Sequence, residues 1–121
     1  MTDTSGAAGP EDLTITSAPI DGVHTITVRG EIDHHTSGPL SQALSLSEGA
    51  AASRIVVDLS GVTFMDSSGI NILIAARNAV HDAGGWLRLA GATEPVMRTM
   101  QLVGLAQIID CYPTLRHALD A

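Results

Sequence analysis

Ile55-Val56-Val57-Asp58-Leu59-Ser60-Gly61-Val62-Thr63-Phe64-Met65-Asp66-Ser67-Ser68-Gly69-Ile70 is the stretch whose reading decides the fold. It opens on a β-branched apolar run, Ile55 to Val57, short and continuous enough for a buried strand. It leads into a second apolar run, Ile70 to Val80, long enough for a helix. Asp66, Ser67, Ser68 and Gly69 lie between them. These are residues a helix N-terminus prefers, because a side-chain oxygen there accepts from the free N–H groups of the first turn. A serine in that position is exposed and close to the positive end of the helix dipole.

Working outward, Arg54 to Leu59 forms the central strand, and the helix after the serine pair runs to about Asp82, with Gly84-Gly85 stopping it. Upstream, Leu13 to Thr16 and His24 to Gly30 alternate at period two around Asp21-Gly22, which predicts an antiparallel hairpin. Thr36 or Ser37 caps a helix with Pro39 in its first turn and Leu40, Ala43 and Leu44 inward; Glu48-Gly49 ends it. Downstream come a strand from Trp86 to Ala90 and a helix opened by Thr93-Glu94-Pro95, with Val96, Met100 and Val103 on one face. Gly104 closes that helix, Ile108-Ile109 makes a short strand, and Pro113 starts a terminal helix carrying Leu115 and Leu119. The order β-β-α-β-α-β-α-β-α predicts a single α/β domain. Its sheet is mixed, antiparallel at the N-terminal hairpin and parallel afterwards, with flanking helices. Residues 1–12, rich in Gly, Ala, Thr and acid, read as a disordered tail before a domain over 13–121.

The 121 residues suffice for one folded domain with an aliphatic core, since 45% are hydrophobic and only one Trp, one Tyr and one Phe occur. A net charge of −7, with six basic residues that are all Arg, argues against nucleic acid and anionic membranes as partners. It suits a protein that is a monomer when free. Cys111 is single, so no intrachain disulfide exists. The N-terminus has no signal-peptide pattern, and no run approaches the ~18 apolar residues of a membrane span. A cytoplasmic location follows as the expectation.

On a helical wheel at ~100° per residue, Gly69, Ile72, Leu73, Ala76, Ala79 and Val80 gather on the expected inner side. Ile70, Asn71, Ile74, Arg77, Asn78 and His81 lie opposite. Such an outer side is either an imperfectly amphipathic helix or a docking strip of two aliphatic anchors with a polar rim. Ser67 falls on the outer side and Ser68 nearer the sheet, which favours Ser67 as a reactive or modified hydroxyl. Simple capping by Ser67 or Asp66 is the plainer explanation.

Several chemistries lack their parts. The pattern G-x-S-x-G is missing around either serine, which weakens a hydrolase reading. Asp33, His34, His35 and His117 could be assembled into a metal site, but adjacent histidines in an extended segment point apart. A chain without lysine has no Walker lysine, and no glycine pattern cradles phosphate. No metal or cofactor is expected.

The stretch from Ile55 to Ile70 closely resembles the phosphorylation segment of bacterial anti-sigma factor antagonists, which are small STAS-domain proteins. Arg29-Gly30-Glu31-Ile32-Asp33-His34-His35-Thr36 is similar to that family's Gly-Glu-Leu-Asp type loop. Pro95-Val96-Met97-Arg98 with Leu102-Val103-Gly104-Leu105 matches its third helix and glycine stop, so the resemblance covers about Leu13 to Leu119. It implies a non-enzymatic protein that binds an anti-sigma factor, itself a serine kinase, and so frees a sigma factor. It implies phosphorylation by that kinase on Ser67, with Ser68 second, and reversal by a PP2C-type phosphatase. Asp33, Asp66, Ser68, Ile70, Asn71, Ile74 and Asn78 are then the expected partner-binding surface. A STAS scaffold or transporter-accessory module without phosphoregulation is the alternative within the same fold.

Overall fold

The computed structural model describes residues 13–47 and 53–121. The expected tail and the helix stop at Glu48-Gly49 lie outside the described residues. Strands β1 (Thr14–Ile20) and β2 (Val23–Ile32) form the hairpin, followed by α1 (Ser37–Ser47), β3 (Arg54–Met65) and α2 (Ser67–Asp82). Next come β4 (Trp86–Ala90), α3 (Glu94–Leu102), a 3₁₀ turn (Leu105–Gln107), β5 (Cys111–Tyr112) and α4 (Leu115–Asp120). The sheet order is β1-β2-β3-β4-β5, with β1 antiparallel to β2 and the other neighbours parallel. The predicted element order and mixed sheet are what the chain forms.

Each face of the sheet carries its own core. Ile26, Val28, Ile55, Val57, Leu59, Leu87 and Leu89 meet Leu40 and Leu44 of α1, Leu73 and Val80 of α2, and Val96 and Met100 of α3. These aliphatic side chains are almost fully removed from water, and their burial is the main favourable contribution to folding. Alternate strand residues Val23, Val56 and Ala90 form a smaller cluster with Ala118, flanked by Trp86, Tyr112, Leu115 and Leu119. α4 covers this second face, and its Ala118 carbonyl accepts from the guanidinium of Arg88, which stacks 3.7 Å over Trp86.

Three expectations are corrected. First, β3 does not stop at Leu59 but continues to Met65, because two bulges let it follow β2. Where β2 advances from Thr27 to Arg29, β3 advances from Asp58 to Gly61; where β2 advances from Gly30 to Glu31, β3 advances from Val62 to Phe64. The Asp58 carboxylate accepts from the Ser60 N–H at 3.0 Å and so braces the first bulge. Second, Ile108-Ile109 is not a strand. Both N–H groups bond the Leu105 carbonyl at 2.9 Å, which coils the backbone there, and the final strand is Cys111–Tyr112. Third, Val103 does not share the buried face of α3. It is the C-cap and exposed, because Gly104 turns the chain in the left-handed region with φ of 75°.

Candidate functional site

Ile32 and Met65 are register partners at the ends of the parallel pair β2 and β3. The Asp66 N–H adds a last rung to the Ile32 carbonyl at 3.1 Å. Asp33 and Asp66 are therefore the first residues past two paired strand ends, which brings two sequence-distant acids to the same edge of the sheet.

Asp66 is extended and caps α2: its carboxylate accepts from the Ser68 N–H at 2.8 Å, and its carbonyl accepts from the Ile70 N–H at 3.2 Å. The capping task thus falls to Asp66 and not to Ser67. Ser67 becomes the first residue of the helix, exposed, with no hydrogen bond from its hydroxyl to any described residue. Ser68 is half-buried, as the wheel predicted.

The seat of the helix is set by Gly69. A Cβ there would lie 2.6 Å from Cγ2 of Ile32 and 2.7 Å from Cγ of Met65, so only glycine lets the first turn rest directly on both strand ends. The position of Ser67 is fixed relative to the sheet by this contact.

The turn after β2 is held as firmly. The Asp33 carboxylate accepts from the N–H groups of Thr36 at 3.0 Å and His35 at 2.9 Å. The Thr36 hydroxyl donates to the Glu31 carbonyl at 2.7 Å and accepts from the Asp33 N–H at 2.9 Å. The Thr36 N–H, with lesser help from that of His35, holds the Asp33 carboxyl below its ordinary range. His34 and His35 do not lie in an extended segment: the chain turns there, and their rings meet edge to face 5.5 Å apart. His117 sits in α4 with its ring 5.7 Å from that of Tyr112, and the described residues hold no group of three or more metal-ligating side chains.

The outer face of α2 differs from the wheel. Ile70 is only 4% exposed and belongs to the core, so it is withdrawn from the surface. Gly69, Ile70, Leu73, Ala76 and Val80 form the buried stripe, and Ala79, placed inward on the wheel, is exposed. Strand register decides this: Asp66 must cap beside Ile32, which rotates the helix so that Gly69 and Ile70 face the sheet together. Ile74 is half-buried against the core. Asn71 and Asn78 are exposed, with Oδ1 of the Asn78 side chain accepting from the Arg77 guanidinium at 3.2 Å. Ser67, Asn71, Ala75 and Asn78 remain as an outward line of small residues. Beside it lies a groove of about 270 Å³ between α1 and α2, lined by Ser41, Leu44, Ser45, Asn71, Ile72 and Ala75.

One surface residue was missed in the sequence. Phe64 is 47% exposed, three positions before Ser67. The bulge at Thr63 turns Phe64 outward while sending both Val62 and Met65 into the core. The signal was present as the three-residue spacing of Val62 and Met65, which simple alternation cannot bury on one face.

The STAS domain family model matches residues 15–118 of this chain. The anti-sigma-F factor antagonist RsfB of Mycobacterium tuberculosis (strain ATCC 25618 / H37Rv) is 30% identical over 112 residues, covering 93% of this chain and 91% of that protein. The anti-sigma-B factor antagonist of Bacillus subtilis (strain 168) is 34% identical over 86 residues, covering 70% of this chain and 77% of that one. A crystal structure of an anti-sigma factor antagonist from Mycobacterium paratuberculosis matches with a TM-score of 0.83 at 32% identity, covering 93% and 96% of the two chains. The chain belongs to the STAS domain family, within its group of anti-sigma factor antagonists. Members of that group are regulatory binding proteins and not enzymes, and this chain is one of them.

Proposed function

We propose that the chain binds an anti-sigma factor that is also a serine kinase, releases a sigma factor by doing so, and is switched off by phosphorylation of Ser67. A PP2C-type phosphatase returns it to the binding form. The exchange takes place in the cytoplasm, where sigma factors work. The observation that carries this reading is the division of labour at the start of α2: Asp66 caps the helix, which leaves the Ser67 hydroxyl exposed and unengaged at its first residue.

A phosphate there adds about −1.5 to −2 charges. The helix dipole offsets part of this, by roughly 0.3–2 kcal/mol, so the domain tolerates the group. At a docked surface the balance differs. A like-charge contact near 4 Å costs on the order of 4 kcal/mol at an effective dielectric of 20, which weakens binding about a thousandfold. The Asp33 carboxylate, held ionised by its turn, and Asp66 already make this edge acidic. The docking surface consists of Asp33, Asp66, Ser67, Ser68, Asn71, Ile74 and Asn78; Ile70 supports it from below.

The test is intact-mass spectrometry after mixing with the cognate kinase and ATP. One phosphate, mapped to Ser67, is expected. An unchanged mass would overturn the switch and leave a STAS scaffold without phosphoregulation.

A further inference from the structure

β1 is an edge strand of seven residues, and its outer side pairs with no strand among the described residues. Edge strands that stay single are usually short, charged, bulged or interrupted by Pro; here Pro19 blunts only the turn end of β1 and leaves Thr14 to Ala18 open. β1 has neither charge nor bulge: its sequence is Thr-Ile-Thr-Ser-Ala-Pro-Ile, paired one for one with β2 from Thr14↔Arg29 to Ile20↔Val23.

The register identifies the free groups. Asp21 and Gly22, at φ of 53° and 80°, make a two-residue turn of type I′ closed by Ile20 and Val23. In such a hairpin the closing pair is hydrogen-bonded and the bonded pairs alternate, so Ile20, Ala18, Thr16 and Thr14 bond β2. The N–H and C=O groups of Ile15 and Ser17 face outward, as does the Pro19 carbonyl. Pro19, which lacks an N–H, stands where that side of an edge strand tolerates it.

These outward groups are self-complementary. Two β1 strands laid antiparallel, with Ile15 opposite Ser17 of the partner subunit and the converse, exchange two hydrogen bonds at each of those pairs. The Leu13 N–H meets the carbonyl of Pro19 of the partner subunit. Beside the edge, on the helix side of the sheet, lies a groove of about 470 Å³ whose walls include Leu13, Ile15, Ser17, His24, Pro39 and Ala43. In this arrangement the grooves of the two copies face each other across the two-fold axis, so Leu13, Ile15, Pro39 and Ala43 of each gain cover, with polar groups such as Gln42 among them.

Charge selects this face. Each copy carries −7, so two copies repel over most of their surfaces, whereas β1 and the groove contain no Asp, Glu, Lys or Arg. We infer that β1 is a homodimerisation edge, joining two copies through a continuous ten-stranded sheet. The pairing joins short strands rich in Thr and Ser with no large aromatic or Arg anchor, so the dimer is weak, with a Kd on the order of 0.1 mM. The interface uses none of the residues around Ser67 and stands apart from the phosphorylation reading.

Sedimentation equilibrium of the full chain from about 10 µM to about 1 mM tests it. Wild type is expected to shift from monomer to dimer across that range. Ser17→Lys, at an exposed position, places cations beside the two-fold axis and is expected to raise the Kd by about tenfold or more. Ser17→Pro removes an N–H that bonds nothing in the hairpin and should act likewise, with Ser17→Lys deciding the matter if the proline variant does not fold. Wild type that stays monomeric at about 1 mM would overturn the proposal. So would a Ser17→Lys variant that dimerises as wild type does, since the contact would then lie elsewhere.

Discussion

Asp66 caps α2 and its neighbour Ser67 does not, and each can be tested alone. Asp66→Ala removes the side-chain acceptor for the Ser68 N–H and should lower stability by about 0.5–2 kcal/mol in urea unfolding, whereas Ser67→Ala should leave stability almost unchanged. An equal loss in both would mean that Ser67 shares the cap. Asp33 makes a prediction about pH. Its folded-state carboxyl lies below the ordinary 3.8, chiefly through the Thr36 N–H. Its contribution to stability is therefore fully present above that ordinary value and is lost as pH falls through the lowered one. A carbon-detected NMR titration should find the Asp33 midpoint below 3.8, and a midpoint at or above that value would contradict the hydrogen-bonded turn.

At the scale of elements, α2 is placed by Gly69. Gly69→Ala puts a methyl where Ile32 and Met65 stand at 2.6 and 2.7 Å, so the first turn must lift or the strand ends must give. Overpacking of this kind costs typically 1–3 kcal/mol, measurable by thermal or urea unfolding, and it should disturb amide signals of Ser67 and Asp33 together. A variant as stable as wild type would show that the helix is seated otherwise. The same element shows what a sequence can reveal. The first half of β3, the capped start and the helix up to Asp82 are legible, because β-branching, capping chemistry and the Gly84-Gly85 stop are local signals. The rotation of α2 was not. A wheel fixes which residues share a side, but only the pairing of Ile32 with Met65 determines which side faces the sheet, so Ile70 was placed outward and Ala79 inward. The bulges in β3 are only half legible: the spacing of Val62 and Met65 hints at one, but Thr63 is extra only with respect to Gly30 and Glu31, on a strand more than thirty residues earlier.

At the scale of the molecule, the sheet keeps the proposed switch outside the core. Its helix-bearing face buries the larger aliphatic core, while Asp33, Asp66 and Ser67 stand at the ends of β2 and β3, outside that core. A charge added at this edge has no buried contact to break. Phosphorylated protein should therefore keep its fold, with amide shift changes confined to the turn after β2, the end of β3 and the first turns of α2. Changes spread across α4 and the hairpin would instead indicate rearrangement.

In the proposed switch, the charge state of Ser67 opens and closes docking. Calorimetric titration of the purified cognate anti-sigma factor with unphosphorylated and Ser67-phosphorylated chain measures it directly. The phosphorylated form should bind about a thousandfold more weakly, in keeping with one like-charge contact of about 4 kcal/mol at the interface. Equal affinity for the two forms would rule out a switch at Ser67.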